Sequence, residues 1–151
     1  MAITAAGAGC GGAAQTIPGT EVVDSEDNRV IIETIETYRL AVERKDAPAL
    51  VMMASKDYWE ESGTPSGDDD YGYDGLERVF LGRFQQSDGI RYSVRYVNIK
   101  RSGKRAFVDI IVHASWTIQD ARGEEMRKKK RDQNQLVLEW DGEAWKFLSG
   151  M

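Results

Sequence analysis

The stretch Ile90-Arg91-Tyr92-Ser93-Val94-Arg95-Tyr96 decides the fold, because here apolar residues begin to alternate with polar residues. A period of two is typical of a β-strand with one buried face and one exposed face. After a predicted hairpin turn at Ser102-Gly103-Lys104, the alternation continues along an apolar face from Ala106 to Ile118. Further turn signals, of which Asp141-Gly142 is the strongest, divide the remaining chain into a long strand and a short one. The second half of the chain therefore predicts four antiparallel strands.

The first half of the chain shows helical spacing instead. Apolar residues at intervals of four, three and four run from Ile31 to Val42 and predict a helix over about residues 25–44. Asp46 can cap a second, short helix. A short strand over Tyr58–Ser62 and a polar loop over Gly63–Gly75 precede a third helical stripe. Helices separated from a run of strands predict a two-layer α+β domain.

Composition and charge exclude several classes of function. A chain of 151 residues with 41% hydrophobic and 30% charged residues suits one globular domain. No apolar run approaches the roughly 18 residues of a membrane-spanning helix. One cysteine and one histidine exclude an internal disulfide and a zinc site built on paired cysteines or several histidines. The net charge of −5 argues against bulk nucleic-acid binding. We therefore expect no metal, no cofactor and no nucleic-acid partner.

The charges are unevenly distributed along the chain. Residues 1–76 contain 5 Lys+Arg and 15 Asp+Glu, a balance of −10, whereas residues 77–151 contain 15 and 10, a balance of +5. Acidic helices and basic strands with solvated charges would give this pattern. The alternative is a self-complementary or anion-binding face.

The N-terminal residues resemble a bacterial lipoprotein signal. In Gly7-Ala8-Gly9-Cys10-Gly11-Gly12, small residues precede the single cysteine, although Gly7 stands where the signal usually has leucine. The resemblance implies lipidation at Cys10 and a location in the bacterial cell envelope, facing the periplasm. The lipid anchor would then be the only membrane contact. Residues 1–20 are accordingly interpreted as a signal remnant and flexible tether, and 21–151 as the domain. If Cys10 is an incidental cysteine on a flexible tail, the expected location is cytoplasmic.

The order of elements resembles the nuclear transport factor 2-like superfamily. The glycine-led third helix, Gly75-Leu76-Glu77-Arg78-Val79-Phe80, and the ending Phe147-Leu148-Ser149-Gly150-Met151 carry the resemblance, and the latter is similar to bacterial lipoproteins of the superfamily. The resemblance implies a cone in which three N-terminal helices pack on a curved, mainly antiparallel sheet around a cavity. The implied order is helix, helix, strand, helix and four strands. It also implies a homodimer formed through the outer face of the sheet.

Ketosteroid isomerases and SnoaL-like polyketide cyclases of this superfamily suggest where to look for a site. The resemblance places Tyr38 at the isomerase tyrosine that helps form an oxyanion hole. The position of the catalytic base falls at or near Ser62, whose hydroxyl cannot take a proton near neutral pH without a basic partner. Glu61 lies close to that position and is a candidate base. The alternative for Tyr38 is a core aromatic residue with a polar tip.

Strand parity supplies a second candidate carboxylate. Asp132 and Asn134 share parity with Leu136 and Leu138, so both point into the cavity if those leucines face the core. The alternative is a structural hydrogen-bonded pair or an exposed strand end. The candidate catalytic residues are therefore Tyr38, Glu61 and Asp132. The predicted pocket residues are Tyr38, Tyr58, Tyr71, Tyr73, Trp116, Asp132 and Asn134.

Other charged motifs are better explained as surface features. His113 lies on the strand face opposite the apolar one, where Asp109 could pair with it. Asp68-Asp69-Asp70 with Asp74 lack the regular ligand spacing of a calcium loop and predict a solvated turn. Alternation sends the side chains of Arg127-Lys128-Lys129-Lys130-Arg131 to both faces of a strand. This run therefore predicts protection of a sheet edge rather than nucleic-acid binding.

Three functions remain open at this point. The first is a lipid-anchored domain that binds a small hydrophobic ligand or a protein partner. The second is a SnoaL-like or isomerase-like enzyme that transfers a proton on a hydrophobic ring substrate. The third is a homodimeric scaffold without a ligand.

Overall fold

The computed structural model describes residues 12–151, and within them three helices precede a four-stranded antiparallel sheet. The helices are α1 (Glu26–Glu43), α2 (Ala47–Met53) and α3 (Tyr73–Gln85). The strands are β1 (Trp59–Glu60), β2 (Tyr71–Gly72), β3 (Asp88–Ser102), β4 (Arg105–Gln119), β5 (Glu125–Trp140) and β6 (Trp145–Ser149). The predicted α+β class is confirmed. The prediction of one loop over residues 63–75 was wrong at its C-terminal end, because β2 pairs with β1 there and α3 begins at Tyr73.

The first helix begins where the sequence places a cap. The Ser25 side chain accepts a hydrogen bond from the backbone N–H of Asn28, and Glu26 and Asp27 lie in the first turn, where acidic groups are favourable. The helix buries Ile31 and Ile35 completely. Its apolar stripe therefore anchors α1 on the sheet.

The main sheet has the strand order β3-β4-β5-β6, with every neighbouring pair antiparallel. Ala106, Val108 and Ile110 are buried on the face that the alternation predicted, and His113 is exposed on the other face. Asp109 does not pair with His113, because four residues of a strand separate them by roughly 13 Å. Its carboxylate instead accepts a hydrogen bond from Gln135 at 2.8 Å.

The short final strand completes the core. Phe147 on β6 is fully buried, and its ring centroid lies 5.1 Å from that of Tyr38 on α1. The end of α2 meets the same strand, since the backbone N–H of Ser55 donates to the carbonyl of Phe147 at 2.8 Å. The helices and the sheet thus share one hydrophobic core.

Residues before the first helix fold back onto the domain. Thr16 and Val23 form an antiparallel bridge, and the backbone N–H of Glu21 donates to the carbonyl of Tyr96 at 3.2 Å. Val22 is only 2% exposed. Ile17 also packs against the core, and the division into a tether over residues 1–20 and a domain over 21–151 stays a prediction. Cys10 lies outside the described residues.

The acidic loop between β1 and β2 is held by its own hydrogen bonds. The Asp70 carboxylate accepts from the backbone N–H and the hydroxyl of Ser62, both at 2.9 Å, and the hydroxyl of Thr64 donates to Asp69. In residues 12–151, no three potential ligand side chains form a group that could hold a metal ion. No helix in the same range has the length and apolar character needed to cross a membrane.

Candidate functional site

An open cavity of about 540 Å³ lies between α3, the inner face of the sheet and the last two residues. Strand alternation brings Val112, Ala114 and Trp116 of β4 to this cavity, and the C-terminal part of α3 adds Phe80 and Phe84. These side chains form the apolar part of the cavity lining. The polar side chains that line it are Tyr38, Arg83, Gln86, Ser87, Tyr92, Lys130, Asp132 and Asn134.

Two tyrosines from different elements meet in the cavity. Tyr38 projects from α1 and Tyr92 from β3, and their rings lie edge to face with centroids 6.1 Å apart. Burial raises the pKa of Tyr38 well above its ordinary value, and the adjacent Tyr92 phenol acts in the same direction. Burial also raises the pKa of Tyr92. Both phenols therefore stay protonated near neutral pH, and the Tyr92 hydroxyl, which accepts from Tyr38, keeps its own proton to donate to a ligand oxygen.

Asp132 lines the same cavity as Tyr38, but its carboxylate is already paired. The Lys130 ammonium, two residues away on the same face of β5, lies 2.8 Å from the carboxylate oxygen. The hydrogen bond and charge of Lys130 lower the pKa of Asp132. The Asp132 side chain is 50% exposed. This arrangement keeps the carboxylate ionised and makes it a weak proton acceptor, because basicity falls with the pKa.

Arg83 supplies the other positive charge of the cavity. It lies near the end of α3, where one of its nitrogen atoms donates to the Tyr71 hydroxyl at 3.3 Å. The charge of Arg83 lowers the pKa of both Tyr38 and Tyr92, against the larger effect of burial. No carboxylate in residues 12–151 lies within 4.0 Å of its guanidinium.

A network of hydrogen bonds fixes the last two residues as one wall of the cavity. The Glu60 carboxylate accepts from the hydroxyl of Tyr58 and from the backbone N–H of Gly150, both at 2.7 Å. The Tyr58 hydroxyl in turn accepts from the N–H of Met151 at 3.2 Å, and the Asn134 amide donates to the Gly150 carbonyl at 2.8 Å. The side chain of Asn134 therefore holds the wall of the cavity.

Three of the predicted pocket tyrosines and one candidate base do not line the cavity. Tyr58 is 2% exposed and stacks on Tyr71 with centroids 6.3 Å apart, so both rings pack below the wall. The Lys56 ammonium lies 3.9 Å from the ring centroid of Tyr73, outside the cavity. Glu61 is exposed just beyond β1, because that strand ends at Glu60. The three tyrosines predicted for the pocket and the candidate base Glu61 therefore lie outside this cavity, and a functional role for them stays a prediction.

Sequence reasoning missed several residues that the structure brings to the cavity. Tyr92 shares parity with Ile90 and Val94, so the alternation that predicted the strand could also have placed it inward. Lys130 shares parity with Asp132 and could have been found in the same way. Arg83 carries no such signal, because its place depends on how α3 packs against the sheet.

Comparison with known proteins identifies the fold. No family model and no curated protein matches the chain. Among solved structures, a ketosteroid isomerase-like protein from Erwinia carotovora atroseptica is 22% identical, with a TM-score of 0.67 over 83% of this chain and 93% of that one. A candidate scytalone dehydratase from Novosphingobium aromaticivorans is 16% identical, with a TM-score of 0.71 over 82% and 80% of the two chains.

A third structure carries the family name itself. A candidate dehydratase of the nuclear transport factor 2-like family from Streptomyces avermitilis is 16% identical, with a TM-score of 0.68 over 82% of this chain and 93% of that one. Identities this low support the architecture rather than a shared reaction. The α+β order, the antiparallel sheet and these similarities together show that the chain has the nuclear transport factor 2-like fold.

Proposed function

We propose that this domain binds a small, largely apolar molecule in its open cavity. The observation that carries the proposal is the cavity of about 540 Å³, whose lining combines apolar side chains with the protonated phenols of Tyr38 and Tyr92. A volume of this size suits a small-molecule site, since such sites are concave, mostly apolar and contain a few oriented polar groups. The phenols would select a ligand that presents a carbonyl or hydroxyl oxygen.

The state of Asp132 favours binding over proton transfer. A general base must be free to approach the proton that it removes. The Asp132 carboxylate is held by Lys130 at 2.8 Å, and its pKa is lowered rather than raised. In this ion pair Asp132 is therefore better suited to form a fixed polar part of the cavity rim than to act as a catalytic base.

A fluorescent probe tests the binding function. N-phenyl-1-naphthylamine is neutral and becomes bright in apolar surroundings, so its titration reports cavity occupancy without a known ligand. Ala114→Phe places a ring inside the cavity and should weaken probe binding by at least about tenfold, because filling the space removes the contacts. Ser115→Phe adds the same ring to the opposite face of β4 and serves as the matched control. Equal binding by both variants would contradict the proposal.

The second candidate function is proton transfer on a ring substrate. Tyr38 and Asp132 line one cavity, and two of the similar structures are described as an isomerase-like protein and a candidate scytalone dehydratase. Asp132→Asn separates the two functions. It should abolish turnover of ring-shaped carbon acids if Asp132 is the base, whereas probe affinity should stay within about twofold in either case.

The lipid anchor and the envelope location stay predictions. They rest on the sequence around Cys10 and can be tested by mass spectrometry of the chain purified from bacterial membranes. We expect an acylated N-terminal cysteine and loss of membrane association in Cys10→Ser. An unmodified Cys10 in a soluble fraction would contradict them.

A further inference from the structure

A group of positive charges lies on the outer face of the sheet, away from the cavity. The exposed residues there are Arg91 on β3 and Arg127, Lys129 and Arg131 on β5. His113 of β4, the strand between these two, is exposed on the same face. We call these five residues the basic face. A shallow depression of about 520 Å³ includes Arg91, His113, Lys129 and Arg131 in its lining.

The register of the strands assembles the basic face. Ser115 lies opposite both Arg91 and Lys129, while His113 lies opposite Arg131. Neighbouring strands are roughly 4.8 Å apart, so these side chains form one patch across three strands. The expectation that alternation divides the basic run between the two faces is confirmed. The run loses Lys128 and Lys130 to the inner face, but β3 adds the charge of Arg91 to the outer one.

The positive charges of this face lack acidic partners in the described part of the chain. No carboxylate lies within 4.0 Å of the cationic groups of Arg91, Arg127, Lys129 or Arg131. Arg95, farther along β3, is by contrast paired with Glu21 at 2.6 Å. Clustered like charges repel each other, so an anionic partner would relieve this repulsion.

The acidic groups on the strands of this face lie towards its two ends, and Glu43 of α1, which also lines the depression, is paired with Arg39 at 3.2 Å. Glu125 is at the start of β5, and Asp109 is engaged by Gln135 near the other end. Asp88, at the start of β3, is paired with Lys45 at 2.6 Å. The centre of the face is therefore positive although the whole chain has a net charge of −5.

We propose that the basic face docks onto the surface of an anionic phospholipid bilayer. Side chains on one face of a sheet project in the same direction, so their charges can reach a common plane, as a bilayer surface requires. The acidic first half of the chain, with its balance of −10, includes α1 and α2 on the opposite side of the sheet and would point away from the lipid. A second copy docked face to face would place cations against cations. A nucleic-acid duplex would meet repulsion from the acidic remainder of the chain.

Vesicle sedimentation tests this proposal without an acyl anchor. The Cys10→Ser chain, which cannot be lipidated, is mixed with two kinds of vesicle. One is neutral phosphatidylcholine, and the other contains about 30% phosphatidylglycerol, which makes its surface clearly negative. Binding should be at least about tenfold stronger to the anionic vesicles and should fall as salt is raised, because salt screens the surface potential.

Matched charge variants locate the interaction. The test variant combines Arg91→Gln, Lys129→Gln and Arg131→Gln, which remove three charges from the basic face. The control removes three exposed charges elsewhere. It combines Arg78→Gln on α3, Lys104→Gln in the β3–β4 turn and Arg122→Gln in the β4–β5 turn.

The two variants have the same net charge, so a difference between their affinities for anionic vesicles shows that the position of the charges matters. We expect the test variant to lose at least about tenfold in affinity for anionic vesicles and the control to stay within about threefold of the parent. Equal binding to neutral and anionic vesicles, or equal losses in both variants, would overturn the proposal. It would also be overturned if the basic face bound duplex DNA or a second copy of the chain but no anionic vesicles. Probe binding to the cavity is measured in parallel, and its outcome does not depend on this one.

Discussion

At the scale of single residues, Phe147 and Gly150 show how the end of the chain supports the site. Phe147 is fully buried against Tyr38, so its ring holds a cavity residue from below. Gly150 adopts φ +94, and a Cβ atom there would lie 2.7 Å from the carbonyl oxygen of Gln135. The packing of Phe147 and the close approach of Gly150 to β5 therefore fix the cavity wall to which Met151 belongs.

Phe147→Ala should destabilise the domain by about 3–5 kcal/mol, because it removes a buried ring and leaves a cavity. Urea denaturation followed by circular dichroism measures the loss. Leu81→Ala, at a side chain that is 46% exposed, is the control and should cost far less. A free energy of unfolding that is unchanged in Phe147→Ala would refute this account of the core.

Gly150→Ala should cost more than Gly142→Ala, although both glycines have positive φ. Gly142 has φ +107 and open space around it, so alanine there adds backbone strain alone, on the order of 1–2 kcal/mol. Gly150→Ala adds a clash with the backbone of β5 and should also weaken probe binding through the displaced Met151. Similar losses of stability in the two variants would contradict the close approach of Gly150 to the backbone of β5.

At the scale of elements, the sequence predicted what depends on local periodicity. The alternation at residues 90–96 predicted β3, and its continuation placed Asp132 on the inner face of β5. It could not show that Lys130 pairs with Asp132, because a side-chain ion pair depends on rotamers rather than on period. The tyrosines of the loop before α3 were misplaced, since nothing local indicated that Tyr71–Gly72 pairs with β1.

The turn between β5 and β6 makes a prediction about pH. The Asp141 carboxylate accepts hydrogen bonds from the backbone N–H groups of Ala144 and Glu143, both at 2.8 Å, and these bonds lower its pKa below the ordinary value of 3.8. A carboxyl whose pKa is lowered in the folded state contributes stability above its unfolded pKa, and this contribution is lost as the pH falls through the folded pKa.

Asp141→Asn should therefore lower the melting temperature at pH 7, and the difference from the parent should shrink as the pH falls below about 4. Thermal melts between about pH 7 and pH 2.5 measure it. Asp68→Asn removes an exposed carboxylate for which the described residues show no hydrogen bond, and it is the control. A gap between Asp141→Asn and the parent that persists at low pH would contradict the role of the ionised carboxylate.

At the scale of the whole molecule, two surfaces of one sheet serve different purposes in this account. The inner face and α3 enclose the apolar cavity, while the outer face gathers positive charge. Both faces depend on strand register, which joins residues far apart in sequence. Composition alone showed the charge imbalance but could not place Arg91 next to Lys129 across Ser115.

Uptake of a small apolar molecule by the cavity is tested most directly by methyl nuclear magnetic resonance of the labelled domain. On addition of N-phenyl-1-naphthylamine, we expect chemical-shift changes for the cavity methyl groups of Val112, Ala114 and Met151, and none for the exposed Leu40 and Leu81. Shifts confined to the exposed methyl groups, or no saturable change at any methyl group, would contradict binding in the cavity.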